Sequence, residues 1–346
     1  MRLKNAAAAI TLTALASFVY AAAPYNENQI GHLYGWVGFS FTGAEFLFTA
    51  ACAYCLLLLI YFLTEPAPGI SKSLRCFQLV TRFARSPTAF WQRGLAGGDR
   101  LALLVTLLKA FFGPLMTISL MAFMMGALIN GRAIFAGADM DFRQMFDTHG
   151  FWFTIKAILF VDTLIFTVGY LVEIPRLRNE IRSVDPTLLG WFAAMICYPP
   201  FNHYTGLILG SPVSDFPRFD DPMAHIALNI ALLALMAIYA SASVALGFKA
   251  SNLTHRGIVA SGPYAFIRHP AYLCKNLAWW IGSVPLVLAG FAQSWFSGIT
   301  AIASILGWSM VYVMRALTEE DHLRSVDGEY AAYAAKVRYR FIPGVV

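Results

Sequence analysis

The C-terminal third of the chain contains LAWWIGSVPLVLAG at residues 277–290 and QSWFSGITAIASILGWSMVYVM at residues 293–314. Neither stretch contains a charged residue, and only two residues separate them. A helix that crosses a bilayer needs about 20 predominantly apolar residues. Apolar helices joined by a short connection pack as antiparallel neighbours. The two stretches therefore predict a membrane-spanning helical hairpin.

Apolar stretches of this kind recur along the whole chain. Its 346 residues are 58% hydrophobic and 13% charged, whereas soluble domains are roughly 25% charged. Candidate spans fall near residues 6–23, 34–63, 101–129, 150–172, 188–210, 223–248, 277–290 and 293–314. We predict an all-α, polytopic membrane helical bundle with about eight transmembrane helices. Residues 1–23 have the layout of a secretory signal, but the length of the apolar run favours an uncleaved first helix.

The basic residues are distributed between the spans in a way that predicts orientation. Residues 173–187 hold Arg176, Arg178 and Arg182, whereas residues 130–149 and 211–222 are rich in aspartate. Residues 71–100 hold a single acid, Asp99, and the bases Lys72, Arg75, Arg82, Arg85, Arg93 and Arg100. Basic loops face the cytoplasm, so alternation places residues 249–276 and the C-terminal tail there too. The positions of these basic loops explain the net charge of +6. We expect no nucleic-acid binding, because the sequence has no basic patch interleaved with aromatic residues.

A series of polar residues surrounds the hairpin. Its members are Tyr264, Arg268, His269, Pro270 and Tyr272 before the hairpin, and Arg315, Glu319 and Glu320 after it. Ionisable residues at a membrane boundary are costly and indicate functional sites. Each one taken alone also fits a membrane-border anchor or a solvated helix end. We predict that the hairpin brings the two groups together on the cytoplasmic face.

The chemistry of these residues predicts a local role for each of them. Pro270 fits the first turn of a helix, where no backbone N–H is needed, so His269 is the predicted N-cap. Arg268 adds a positively charged fork that suits an anion. Glu319 and Glu320 are adjacent on a helix, so their side chains point about 100° apart. We predict that one enters a pocket while the other pairs nearby, and that Arg315 lies at salt-bridge spacing from Glu319.

These residues resemble the pattern of the isoprenylcysteine carboxyl methyltransferase and phospholipid methyltransferase superfamily. That pattern is Arg-His-Pro-x-Tyr-x-Gly, a hydrophobic-Pro pair, and Glu-Glu. The chain carries Arg268-His269-Pro270-Ala271-Tyr272-Leu273-Cys274, Val284-Pro285 and Glu319-Glu320. The resemblance covers roughly residues 255–346, and Cys274 stands where the superfamily has glycine.

The resemblance implies an integral membrane methyltransferase that uses S-adenosylmethionine. Residues 251–346 would form the cofactor-binding region, and residues 1–250 would shape the cavity for a lipophilic acceptor that enters from the bilayer. It implies that the cofactor is bound by Tyr264, Arg268, His269, Tyr272, Glu319 and Glu320. We assign Arg315 to catalysis because it can pair with an anionic acceptor, which favours carboxyl O-methylation of an isoprenylcysteine-like substrate. No metal is expected, since the five cysteines form no second Cys-x-x-Cys pair.

Three alternatives remain open at the level of sequence. A phospholipid amine acceptor would require a base, and no residue stands out as one. A sterol-reductase-like enzyme would share the Tyr339-Arg340-Phe341-Ile342-Pro343 ending but use NADPH, and the pair Glu319-Glu320 disfavours a phosphorylated dinucleotide. A non-catalytic membrane protein would bind or transport its ligand without chemistry.

Overall fold

The computed structural model describes residues 1–65, 69–88, 90, 95–137, 139–211 and 213–345. Arg93, one of the bases used to predict orientation, lies outside the described residues. The chain forms two compact units. One comprises Met1–Ala122 and Tyr170–Glu173, and the other comprises Phe123–Gly169 and Ile174–Val346. The functional division predicted near residue 250 stays a prediction.

The first unit begins with helix α1 (Arg2–Ala22) and a short helix α2 (Glu27–Gly31). A β-hairpin of β1 (Leu33–Trp36) and β2 (Phe39–Thr42) follows, and then helices α3 (Gly43–Thr64) and α4 (Lys72–Arg85). The predicted span at 34–63 thus becomes helical only at Gly43. Thr42 and Glu45 form a reciprocal capping box there, which satisfies two backbone N–H groups at the helix start. Helix α1 packs on α3 through Ala6, Ala9 and Phe62.

A long helix, α5 (Gly97–Ala136), carries Lys109 in the middle of an apolar stretch. Lys109 lies 3.0 Å from Glu173, and Lys72 pairs with the same carboxylate. Ionisable side chains within spans are expected to pair inside the bundle. Lys109 is paired in this way with Glu173.

The second unit contains the C-terminal hairpin and its neighbours. Its helices are α6 (Phe142–Met145), α7 (Phe151–Leu171), α8 (Leu188–Met195), α9 (Phe201–Leu209), α10 (Pro222–Leu246), α11 (Pro270–Gln293), α12 (Trp295–Val326) and α13 (Glu329–Lys336). Strands β3 (Ser183–Val184) and β4 (Thr254–His255) pair antiparallel. Single helical turns lie at Pro24–Asn26, Phe146–Gly150, Pro175–Leu177, Gly247–Lys249 and Gly262–Ala265. The core of this unit packs Phe151, Phe216, Leu232 and Met236 together with Ala278.

The protein is an all-α, polytopic membrane protein, as predicted. Seven helices among the described residues are long and apolar enough to cross a membrane. They are Arg2–Ala22, Gly43–Thr64, Gly97–Ala136, Phe142–Leu171, Pro222–Lys249, Pro270–Gln293 and Trp295–Val326. The fifth predicted span, at 188–210, is instead two short helices. Pro199 and Pro200 separate them, and proline cannot donate the backbone hydrogen bond that would continue a helix. The alternation that placed residues 249–276 on the cytoplasmic side counted this span, so that orientation stays a prediction.

The predicted C-terminal hairpin is confirmed. Helices α11 and α12 are joined at Ser294, whose side chain accepts a hydrogen bond from the backbone N–H of Ser297. Helix α12 continues past its apolar part and carries the polar residues that follow it. Leu323, Val326, Tyr330, Tyr333 and Val337 recur at spacings of three and four, which predicts one amphipathic helix after the hairpin. The observed helix is shorter: Leu323 and Val326 belong to α12, and only Glu329–Lys336 forms α13.

Candidate functional site

A cavity of about 100 Å³ lies within the second unit, beside the start of α11 and the C-terminal part of α12. Its lining includes Tyr264, His269, Tyr272, Arg315 and Glu319, all predicted as site residues. Other lining residues are Asp185, Tyr198, Tyr239, Asn252, Lys275, Tyr312 and His322. Arg268 and Glu320 do not belong to the lining. The structure therefore separates the predicted site residues into two groups.

Glu320 is fully buried within a cluster of positive charges. Arg268 donates from Nε to Oε1 of Glu320 at 2.8 Å, and Nε2 of His269 lies 3.2 Å from the same oxygen. Arg324 and Arg340 donate to Oε2 at 2.7 Å and 3.1 Å. A buried carboxylate is tolerated only when it is paired and hydrogen-bonded. The prediction that one of the two glutamates pairs nearby is confirmed for Glu320.

Arg268 ties the tail of the chain to the start of α11. Its Nη1 donates to the carbonyl oxygens of Val337 at 2.9 Å and Arg338 at 2.7 Å. Its backbone N–H donates to Tyr339, and that of His269 donates to Arg340, both at 2.9 Å. The cluster around Glu320 consequently fixes the C-terminal segment, and it uses the guanidinium that the sequence assigned to the cofactor.

Glu319 has a different environment one residue earlier. Its side chain is 47% exposed, and the hydroxyl of Tyr272 donates to its Oε2 at 2.9 Å. His269 Nδ1 lies 3.9 Å from the same oxygen, and the rings of His269 and Tyr272 stack with their centroids 5.4 Å apart. His269 therefore lies between the two glutamates. As predicted for adjacent helical residues, Glu319 enters the cavity while Glu320 does not.

Arg315 is buried and surrounded by aromatic rings. Its guanidinium carbon lies 4.9 Å from the ring centroid of Tyr272, 5.3 Å from that of Tyr312 and 5.8 Å from that of Tyr198. Its Nη2 donates to Oδ1 of Asn252 at 2.9 Å. The sequence spacing predicted an ion pair between Arg315 and Glu319. Instead, Arg315 donates to Asn252, and Glu319 accepts a hydrogen bond from Tyr272. A guanidinium held over aromatic faces keeps its charge available to an anionic ligand.

Tyr264 lies on the single turn Gly262–Ala265. Gly262 opens this turn at φ +60°, a conformation that glycine adopts without steric cost. The hydroxyl of Tyr333 donates to the carbonyl oxygen of Tyr264 at 2.9 Å. Burial raises the pKa of Tyr333 to about 12 and also raises the pKa of Tyr264. Both hydroxyls are therefore protonated at neutral pH, and Tyr333 holds this turn on α13.

Comparison with known proteins adds one match. Residues 211–337 match the family described as "Protein of unknown function (DUF1295)". That region covers α10 to α13 and carries most of the cavity lining. No curated protein matches the chain, and no solved structure matches it either.

Several lining residues were missed by the sequence analysis. Lys275 lies on α11, three residues after Tyr272, and its signal was an ionisable residue in an apolar helix. His322 lies three residues after Glu319 and so on the same helix face. Its Nε2 is 3.1 Å from the Ser183 hydroxyl, and its buried Nδ1 has no hydrogen-bond partner within the described part of the chain. Asn252 belongs to Asn252-Leu253-Thr254, which has the spacing of a glycosylation acceptor and did not indicate a ligand site.

Two further expectations concern cysteine and metal. Cys274, which stands where the resembled superfamily has glycine, is buried on α11 and does not line the cavity. Among the residues that the structure describes, no group of three or more His, Cys, Asp or Glu side chains is placed to hold a metal ion.

Proposed function

We propose that the protein is an integral membrane methyltransferase that transfers the methyl group of S-adenosylmethionine to a lipophilic acceptor. The observation that carries the proposal is the meeting of two motifs at one cavity. Tyr272 and Glu319 are 47 positions apart in sequence and are hydrogen-bonded there. The resemblance to the isoprenylcysteine and phospholipid methyltransferases assigns both motifs to the cofactor site and implies that this site opens to the cytoplasm.

The chemistry of the lining fits this cofactor. The half-exposed carboxylate of Glu319 can accept hydrogen bonds from ribose hydroxyls or from an ammonium group. The negative charge of Glu319 also attracts cations, and a sulfonium is one. At about 100 Å³ the cavity is smaller than the roughly 300–1,000 Å³ of typical ligand sites. Binding therefore requires lining side chains to move apart.

Arg268 and Glu320 receive a positioning role in this proposal. Their ion cluster holds the C-terminal segment against the start of α11. Through the contact of Glu320 with Nε2, it also orients the ring of His269 toward Glu319. Side chains that contact a ligand keep the required geometry when neighbouring residues hold them in place.

The reaction asks little acid–base chemistry of the protein when the acceptor is a carboxylate. The cofactor supplies an electrophilic methyl group on a sulfonium, so the protein must bind, align and dehydrate the partners. A lone pair on the carboxylate oxygen forms the new C–O bond, and the electrons of the broken C–S bond stay on sulfur. The opposite charges cancel and no proton moves. We propose that Arg315 orients the carboxylate during this step.

Replacement of Glu319 tests the cofactor site. We expect Glu319→Gln to weaken binding of S-adenosylmethionine at least ~10-fold, because a charged hydrogen-bond partner is worth about 1.5–3 kcal/mol. Calorimetry on detergent-purified protein measures this, with Asp321→Asn as the matched control because Asp321 is 77% exposed. NADPH is titrated in parallel. Wild-type protein that binds NADPH instead would favour the reductase, and protein that binds neither would favour a non-catalytic role.

A phospholipid amine is the second candidate acceptor, and His322 is the observation that favours it. An ammonium group must lose a proton before it can attack, and a positioned base contributes roughly 10²–10⁴-fold to such a step. The unpartnered Nδ1 of His322 is a nitrogen able to accept that proton.

Substitution of His322 distinguishes the two acceptors. We expect His322→Gln to reduce transfer to a carboxylate acceptor by less than ~10-fold, because that reaction removes no proton. Methyl incorporation into N-acetyl-S-farnesylcysteine and into phosphatidylethanolamine measures the difference. A loss of 10²-fold or more with phosphatidylethanolamine, together with faster wild-type turnover of that lipid, would instead establish the amine as acceptor.

A further inference from the structure

We propose that Lys275 binds the anionic head group of the acceptor and that this head group is a carboxylate. The inference rests on the proposed methyltransferase function for the identity of the ligand. Lys275 lies on α11, which is long and apolar enough to cross a membrane, and it lines the cavity that Arg315 and Glu319 also line.

The ammonium of Lys275 is surrounded by aromatic rings. Its Nζ lies 5.2 Å from a ring centroid of Trp279, 5.6 Å from that of Tyr312 and 5.8 Å from that of Tyr239. An ammonium has three N–H donors. For those donors no hydrogen-bond acceptor or ion-pair partner is found in the ranges of the chain that the structure describes. A cation in this position is costly, and it marks a site for an anion.

Asp162 balances the charge of Lys275 without occupying its donors. The two groups attract each other electrostatically. However, the hydroxyl of Tyr239 donates to Oδ2 of Asp162 at 3.0 Å, and that of Ser243 donates to Oδ1. Both carboxylate oxygens therefore already have donors. The three N–H groups of Lys275 remain for a ligand.

Lys275 and Arg315 lie close to the same aromatic ring. The guanidinium carbon of Arg315 lies 5.3 Å from the ring centroid of Tyr312, which Lys275 approaches at 5.6 Å. Both residues also line the same cavity, and the proposal places one carboxylate between the two cations. Glu319 and Asp185 also line the cavity, and they repel a doubly charged phosphate more strongly than a singly charged carboxylate. These charges favour a carboxylate head group.

Binding of matched amphiphiles to the full-length protein in detergent tests the proposal. The probes are N-oleoylglycine, its neutral analogue N-oleoylethanolamine, and oleyl phosphate. We expect wild-type protein to bind N-oleoylglycine at least ~10-fold more tightly than the neutral analogue, since a hydrogen bond to a charged group is worth about 1.5–3 kcal/mol. Lys275→Met should abolish this preference, and Lys275→Arg should retain most of it.

Lys156→Met is the matched control. Lys156 also lies in a span over aromatic rings, 5.4 Å from the centroid of Phe123 and 5.9 Å from that of Trp152, but it does not line the cavity. Its replacement should leave the preference for the carboxylate unchanged. Lys275→Gln, which keeps a polar donor without charge, replaces Lys275→Met if thermal unfolding shows that the latter does not fold.

The outcomes separate this inference from the proposed function. The inference is overturned if Lys275→Met keeps the preference, or if oleyl phosphate binds more tightly than N-oleoylglycine through Lys275. S-adenosylmethionine is titrated into the same preparations. A Lys275-dependent preference for the carboxylate without cofactor binding would support the anion site and contradict the methyltransferase.

Discussion

Glu320→Gln is expected to release the C-terminal segment and to destabilise the protein by about 3–5 kcal/mol, the usual cost of removing one partner from a buried ion pair. Glu320 has no exposed surface, and it receives hydrogen bonds from Arg268, Arg324 and Arg340. An amide has the same shape but no charge, so three guanidinium groups would lose their common counter-ion.

Thermal unfolding in detergent and limited trypsin digestion measure this effect. We expect a lower unfolding midpoint and faster cleavage at Arg338 and Arg340. Glu319→Gln is the matched control because it changes the adjacent carboxylate, whose side chain is 47% exposed, and exposed pairs contribute about 0–1 kcal/mol. Equal stability of the two variants would show that the cluster does not hold the tail.

The pair of glutamates shows what the sequence predicts and where it stops. Helix geometry alone predicts that Glu319 and Glu320 face different surroundings. It does not predict which one is buried, because that depends on Arg324 and Arg340, whose pairing with Glu320 no motif indicates. Arg340 reaches Glu320 only because the tail returns to α11, and such a long-range contact leaves no periodic signal in sequence.

The fold shows the same division between local and long-range information. The hairpin could be predicted because two apolar stretches without a charged residue are separated by only two residues. Lys275 was missed because the apolar stretch was taken to begin at residue 277, whereas the helix begins at Pro270. The β-hairpin at residues 33–42 was hidden within an apolar run, although Thr42 and Glu45 have the spacing of a capping box. In each case a local signal existed and hydrophobicity masked it.

The second large effect is expected at Arg315. Arg315→Met should lower kcat/KM for methyl transfer to N-acetyl-S-farnesylcysteine by roughly 10²–10³-fold, the loss typical of one charged or hydrogen-bonding group at a reacting oxygen. Arg315 is buried over Tyr272 and Tyr312, and its Nη2 donates to Asn252. Its remaining donors can therefore orient the acceptor. Incorporation of labelled methyl groups measures the rate.

Two companion variants separate a role in positioning the acceptor from a structural role. Arg315→Lys keeps the charge but loses the planar fork, so we expect an intermediate rate. Asn252→Ala removes the partner of Arg315 and keeps the guanidinium, so we expect a smaller loss. Binding of S-adenosylmethionine should stay within ~3-fold of wild type in all three proteins. A parallel loss of cofactor binding in Arg315→Met would mean that Arg315 holds the cofactor, and the acceptor's anionic group would then depend on Lys275 alone.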